Sequence, residues 1–258
     1  MDLDLKGRRA LVCGSSQGMG FAIAKELSQM GARVTLFARN EASLKKALSE
    51  LAPGDHDYLV ADFDDLQAVE NAVDAGLAKA SYQILINNSG GPAPGPLSEA
   101  SLSDFETAMN RHLHVSHTLV QKLLGGMKEA GYGRIINIIS TSVKVPIPGL
   151  GVSNTVRGAM ASWSKTLANE LGQYGITVNN ILPGFINTAR IDSLIAGKSQ
   201  KLGKSEEEVE KGMKSTIPAG RFGEPEEIAA YAGLLCSKSG AYINGTSLRI
   251  DGGRTGSI

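Results

Sequence analysis

The feature that most constrains this chain is an unbroken alternation of short apolar runs with helical patterns. Runs of strand character fall at Arg9–Cys13, Val34–Ala38, Asp57–Ala61, Gln83–Asn87, Arg134–Ile139, Ile176–Leu182 and Ser247–Ile250. Between them lie helical stretches: Met19–Met30, Glu41–Leu51, Leu66–Lys79, two within about Leu102–Ala130, Val152–Tyr174 and Pro225–Cys236. Strands that alternate with helices in this way run parallel, because each crossover returns the chain across the sheet. Helices then cover both faces, and right-handed crossovers wind the sheet in two directions. The expectation is an α/β fold with one doubly wound parallel sheet, a single domain over 1–258. A polar, lysine-rich stretch, about 187–218, precedes the last helix and reads as a partly helical flap.

Charge narrows the partners. Lys+Arg and Asp+Glu are 26 each, so the formal net charge is zero. That balance lacks the basic footprint of a nucleic-acid binder and the polybasic segment of a membrane-surface protein. No apolar run approaches the roughly 18 residues of a membrane span. The first residues, Met-Asp-Leu-Asp-Leu-Lys, have neither the basic nor the apolar part of a secretory leader. Cys13 and Cys236 are the only cysteines and lie far apart, with neither a disulfide framework nor zinc-ligand spacing. A cytoplasmic, metal-free protein is therefore expected.

Glycine is abundant, at 31 residues, well above the usual level of about 7%. Its most informative cluster follows the first strand: Cys13-Gly14-Ser15-Ser16-Gln17-Gly18-Met19-Gly20, leading directly into a helix. A strand that turns through glycines into a helix brings backbone N–H groups and the positive end of the helix dipole to one point. That arrangement suits a pyrophosphate, so Gly14, Ser16, Gln17, Gly18 and Met19 are candidate dinucleotide contacts. The alternative is a tight turn with no ligand. The second strand ends Phe37-Ala38-Arg39-Asn40, with an arginine where dinucleotide sites often carry an acid for the ribose 2′-hydroxyl. A guanidinium matches a 2′-phosphate, so NADP(H) is expected in preference to NAD(H).

With these motifs the sequence resembles the short-chain dehydrogenase/reductase family, near its 3-oxoacyl-acyl-carrier-protein reductase branch. The resemblance rests on the glycine loop and on Asn87-Asn88-Ser89-Gly90. It rests further on the strand Gly133–Ser140, on Ile176–Gly184, on Gly220–Ala229 and on Asp251-Gly252-Gly253. It spans essentially the whole chain and implies a Rossmann-type fold, a small carbonyl or alcohol substrate, and a homotetramer or homodimer. It also implies that Asp62 and Phe63 border the adenine, and that Asn88, Ser89 and Gly90 line the ribose and pyrophosphate side. Pro183 and Gly184 would shape the nicotinamide end, where Ile186 and Thr188 face the carboxamide.

The family's reaction uses an asparagine, a serine and a Tyr-x-x-x-Lys pair, and here only the serine, Ser140, is present. The tyrosine position holds Ser153, the lysine position Arg157 and the asparagine position His112. A phenol titrates near 10 and can be tuned by a neighbouring cation, whereas an aliphatic hydroxyl is a far weaker acid. Ser153 and Arg157 are four residues apart on a helical stretch and so share a face. Histidine commonly serves as an acid–base group, which makes His112 a candidate proton donor beside its alternative, a structural hydrogen-bonded residue. Lys144 is a further possible donor that reads better as an exposed loop lysine. Three functions fit: an NADP(H)-dependent oxidoreductase with a rebuilt proton supply, a weak or inactive NADP(H)-binding sensor or oligomer subunit, or an Arg157–His112 site for an anionic group.

Overall fold

The strands and helices expected from the alternation form one parallel sheet in the structure, a computed structural model that describes residues 1–257. The strands are β1 (Arg9–Cys13), β2 (Arg33–Ala38), β3 (Asp57–Val60), β4 (Ile84–Asn87), β5 (Gly133–Ile138), β6 (Ile176–Pro183) and β7 (Ser247–Ile250). Their order is β3-β2-β1-β4-β5-β6-β7, and every pair is parallel. The chain winds outward from β1 through β2 to β3, then returns to β4 on the other side of β1. The crevice above the carboxyl ends of β1 and β4 is therefore a topological switch point, where open α/β sheets bind ligands.

Helices cover both faces. Helices α1 (Gly18–Gln29), α2 (Glu41–Ser49) and α9 (Pro225–Cys236) contribute to one apolar core, in which Ile23, Leu27, Leu44 and Ile228 are fully buried beneath Val34, Leu36 and Ile84. Helices α3 (Leu66–Leu77), α5 (Val115–Glu129) and α6 (Gly151–Leu171) pack on the other face through Val69, Val73, Leu119, Leu123 and Leu171. Helix α4 (Leu102–Met109) rests on α6 through Phe105, Ala108, Val152 and Val156. The lysine-rich stretch folds into α7 (Ala189–Leu202) and α8 (Glu206–Lys214), which share a separate apolar cluster of Ile191, Ile195, Val209, Met213, Ile217 and Phe222. The acidic run Glu206–Glu208 is more than a solvated face. Glu208 closes a capping box with Ser205 at the start of α8, satisfying backbone donors that the helix leaves unpaired.

Two features depart from the simple pattern. Asn110–His114 forms a π-helical turn between α4 and α5, and this local widening carries His112 into the interior. The apolar strands β4, β5 and β6 also carry a buried polar row. Asn87 Nδ2 donates to Asn137 Oδ1 (2.8 Å), Asn137 Nδ2 to Asn180 Oδ1 (3.0 Å), and Asn180 Nδ2 to Ser247 Oγ (3.0 Å). These side chains stand in register across four strands and fix β4 to β7 just below the switch point.

Candidate active site

The glycine turn sits at the carboxyl end of β1 and is held from the neighbouring strand. Asn88 Nδ2 donates to the Cys13 and Gly14 carbonyls at 3.3 and 3.2 Å. A Cβ at Gly20 would lie on the Gly14 carbonyl oxygen and 2.7 Å from Asn88 Nδ2, so only glycine lets α1 approach β4 this closely. Gly14 and Gly18 have φ of +58° and +59°, which L side chains seldom adopt. The buried hydroxyl of Ser15 accepts from Phe37 N–H at 2.9 Å and pins the turn to β2. Ser16, Gln17 and Met19 complete the loop, with Gln17 exposed at the cap position of α1.

That cap position is open. Helices α2, α3, α4 and α8 begin with side chains that bind their first N–H groups: Asn40, Asp65, Ser101 and Ser205. Helix α1 has no side-chain cap and no acid in its first turn. Its leading N–H groups are thus free for an anion lying over the glycine turn. Thr188 faces it from the start of α7: its Cγ2 would be 3.5 Å from a Cβ at Gly18.

The residues expected to surround the adenine end separate into two groups. Arg39 is 74% exposed and reaches Asp62 at 3.6 Å, so it is free to turn toward a phosphate. Asn40 is committed to capping α2, where its Oδ1 accepts from Ser43 N–H at 2.9 Å. Asp62 is exposed at the lip, whereas Phe63 is buried edge-to-face against Phe37 with ring centroids 5.1 Å apart. Phe63 is held in place by that packing, at the wall of the crevice. The Ile186 side chain is buried in the core against Gly223. Pro183 ends β6 and is buried, and Gly184 passes close to Asp251, where a Cβ would be 2.7 Å from that residue's Cα. Gly90 lies in open space on the loop after Asn88 and Ser89.

Ser140, Ser153 and Arg157 come from the end of β5 and the first turns of α6. Ser140 Oγ accepts from Ser142 N–H at 3.1 Å, which leaves its own O–H for an incoming oxygen. Ser153 is buried, with no hydrogen bond from its hydroxyl to the described residues. Arg157 is 7% exposed, and its Nη1 donates to the Ile138 carbonyl at 3.2 Å. Burial, and then the charge of Arg190, lower its pKa to about 10, so it is cationic at neutral pH. Lys144 is exposed on the turn after Ser140.

His112 does not have the chemistry of a proton donor. Its Nδ1 pairs with Ser89 Oγ at 2.7 Å, and the ring is 2% exposed. Burial first, then the charges of Arg157, Arg111 and Arg190, hold its pKa down to about 2. The ring is neutral at any working pH and secures the Ser89 loop from behind. His114 and His117 are exposed, and His117 Nδ1 accepts from Trp163 Nε1 at 3.3 Å. Both cysteines are buried and unpaired, and burial raises each thiol to about 12, which makes them inert.

The geometry agrees with the proteins this chain resembles. Residues 14–255 match a family profile described as enoyl-(acyl carrier protein) reductase. The chain is 33% identical over 258 residues to gluconate 5-dehydrogenase of Gluconobacter oxydans, covering 98% of this chain and 97% of that one. It is 32% identical to a 3-oxoacyl-[acyl-carrier-protein] reductase of Haemophilus influenzae, covering 96% and 98%. Among solved structures, L-sorbose reductase from Gluconobacter frateurii, complexed with NADPH and L-sorbose, superimposes with a TM-score of 0.94 at 28% identity over the full length of both chains. No helix among the described residues is long and apolar enough to cross a membrane.

Proposed function

This chain belongs to the short-chain dehydrogenase/reductase family of oxidoreductases, and from that premise we propose that it transfers hydride between NADP(H) and a small carbonyl or alcohol. The observation that carries this reading is the uncapped start of α1 above a glycine turn that admits no side chain. The residues present fit a dinucleotide. The loop Gly14–Met19 and the first N–H groups of α1 would hold the pyrophosphate, and Arg39 the 2′-phosphate. Asp62 would border the adenine. Asn88, Ser89 and Gly90 would line the ribose, and Thr188 with the Ile186 backbone would face the carboxamide. NADP(H), when bound, supplies or accepts the hydride.

The chain's own groups act on the substrate oxygen. Ser140 donates its O–H to that oxygen, and Ser142 N–H, bound to one lone pair of its Oγ, holds the hydroxyl in place. Ser153 adds a second hydroxyl, and the buried cation of Arg157 favours negative charge as it develops. Arg157 also offers planar donors for ribose hydroxyls. The missing phenol is worth about 10²–10⁴-fold as a general acid, whereas positioning alone supplies roughly 7–11 kcal/mol. Reduction thus survives at a lower rate, with the final proton drawn from water at the cleft mouth.

A second reading, an NADP(H)-binding subunit with little turnover, is favoured by one observation: His112, the only other candidate acid in the crevice, is held neutral. We further propose a homotetramer or homodimer in the cytoplasm, where its buried thiols stay reduced. The test is titration with NADPH and NADH, followed by a panel of ketoses, keto acids, 3-oxoacyl thioesters and alcohols. Turnover that falls by about 10²–10³-fold in Ser140→Ala at unchanged NADPH affinity supports the enzyme. Binding without turnover supports the subunit reading, and unchanged activity in Ser140→Ala refutes the assigned mechanism.

A further inference from the structure

The crevice carries more positive charge than its own residues balance. Asp62 and Asp64, the acids at its lip, are engaged by Arg39 and Arg111. Arg157 is buried and makes its one hydrogen bond among the described residues to a neutral carbonyl, with no carboxylate within ion-pair distance. Arg190 projects from the first turn of α7 and likewise has no acidic partner among the described residues. Its guanidinium lies across the crevice on the loop that follows Asn88. A Cβ at Gly91 would be 2.7 Å from its Nη2 and 2.8 Å from its Nη1. Glycine at position 91 thus makes room for this side chain.

Arg190 is exposed, and its charge adds to burial in depressing the titration of Arg157 and, after Arg157 and Arg111, of His112. A buried cation without a counter-charge, as Arg157 is, costs stability unless a ligand supplies one. A neutral polyol or ketone uses none of this field, whereas a carboxylate uses all of it.

We propose that Arg190, backed by the buried charge of Arg157, selects a substrate that carries a carboxylate in addition to its reacting carbonyl or alcohol. This rests on the oxidoreductase reading above. Arg190 is a specificity residue: it holds the anionic end of the substrate at the mouth of the crevice while Ser140 and Ser153 hold the reacting oxygen. Its planar fork matches a carboxylate through two parallel N–H donors.

The experiment compares the full-length protein with Arg190→Gln on two probes that share a six-carbon skeleton, 5-ketogluconate and L-sorbose. Each is assayed with NADPH at low and high salt. In parallel, the protein saturated with NADP⁺ is titrated calorimetrically with gluconate, tartrate and malonate. The expected result is a KM for 5-ketogluconate at least tenfold below that for L-sorbose. Arg190→Gln should raise the former tenfold or more and leave the latter, and the NADPH affinity, within twofold. At least one carboxylate should bind calorimetrically, more weakly in high salt and in the variant. Equal KM changes on both probes would make Arg190 merely structural and overturn the proposal. A matching loss of NADPH affinity would assign Arg190 to the cofactor's pyrophosphate and overturn it as well. Absence of binding heat from all three carboxylates also overturns it. If neither ketose turns over, the calorimetric arm still decides the anion site, and the wider substrate panel decides the oxidoreductase reading separately.

Discussion

Gly20→Ala adds one methyl group at the tightest point of the nucleotide crevice. The new Cβ would be 2.7 Å from Asn88 Nδ2 and 2.8 Å from the Gly14 carbonyl carbon, where ordinary contact begins at 3.4 Å. The gap must open by at least about 0.7 Å, and by more at the Gly14 carbonyl oxygen, which is nearest; much of what the Cβ meets is backbone, which cannot rotate away. Overpacking of this kind costs roughly 1–3 kcal/mol. Alanine recovers at most about 1 kcal/mol from its better helix propensity. A net loss of about 2 kcal/mol lowers the melting temperature of a chain this long by roughly 4 °C. The same movement pulls the first N–H groups of α1 and the Asn88-held turn out of register. Loss of one charge-assisted hydrogen bond to a phosphate costs roughly 1.5–3 kcal/mol, or tenfold or more in NADPH affinity. Gly125→Ala, on α5, is the control, because a Cβ there meets nothing within 4 Å. It should melt no lower than the parent and bind NADPH as the parent does. Thermal melts with and without NADPH, plus fluorescence titration, measure both quantities. A Gly20→Ala protein that melts and binds NADPH like the parent would refute the argument that this close approach builds the site.

Two further outcomes follow from the electrostatics. His112 is unprotonated in the folded protein down to a pKa of about 2, whereas in the unfolded chain it takes a proton below about 6.5. The unfolded state therefore binds more protons there, and stability falls as pH drops below 6.5, by about 1.4 kcal/mol per unit. Urea melts should show the parent losing roughly 2 kcal/mol more than His112→Asn between pH 7.5 and 5.0; parallel losses would show that the folded ring takes up its proton over the same range as the unfolded one. Arg39→Ala should weaken NADPH about tenfold and leave NADH unchanged, because only the former carries the phosphate that a guanidinium pairs with. Equal weakening of both, measured by fluorescence titration, would remove Arg39 from the 2′-phosphate site.

The sheet was legible in the sequence because its central strands are buried on both faces, so β1, β4 and β6 read as compact apolar or β-branched runs between turn residues. The glycine turn was legible for a different reason: its constraint is local, and a strand, three glycines and a helix in succession leave few other shapes. What the sequence hid depends on contacts between distant residues. Asn87, Asn137 and Asn180 look like isolated polar interruptions until the parallel register stacks them into one row. The π-helical turn at Asn110–His114 has no proline or glycine to announce it. Yet that turn decides the chemistry of His112, since it moves a titratable ring into a dry, cationic interior where it cannot hold a proton. Arg190 was hidden for the same reason: nothing near it in sequence indicates that it crosses to Gly91. The departures at Ser153 and Arg157 were visible by spacing alone, but their consequence was not. Replacing a phenol and an ammonium with a hydroxyl and a guanidinium removes the tunable proton donor and leaves a fixed cation in its place. On the proposed reading, with His112 neutral and Arg190 joining that cation, the site would exchange proton-donating power for positive field. A chain altered in this way can still lower the barrier to hydride transfer, provided that its substrate brings negative charge into the crevice or develops it there.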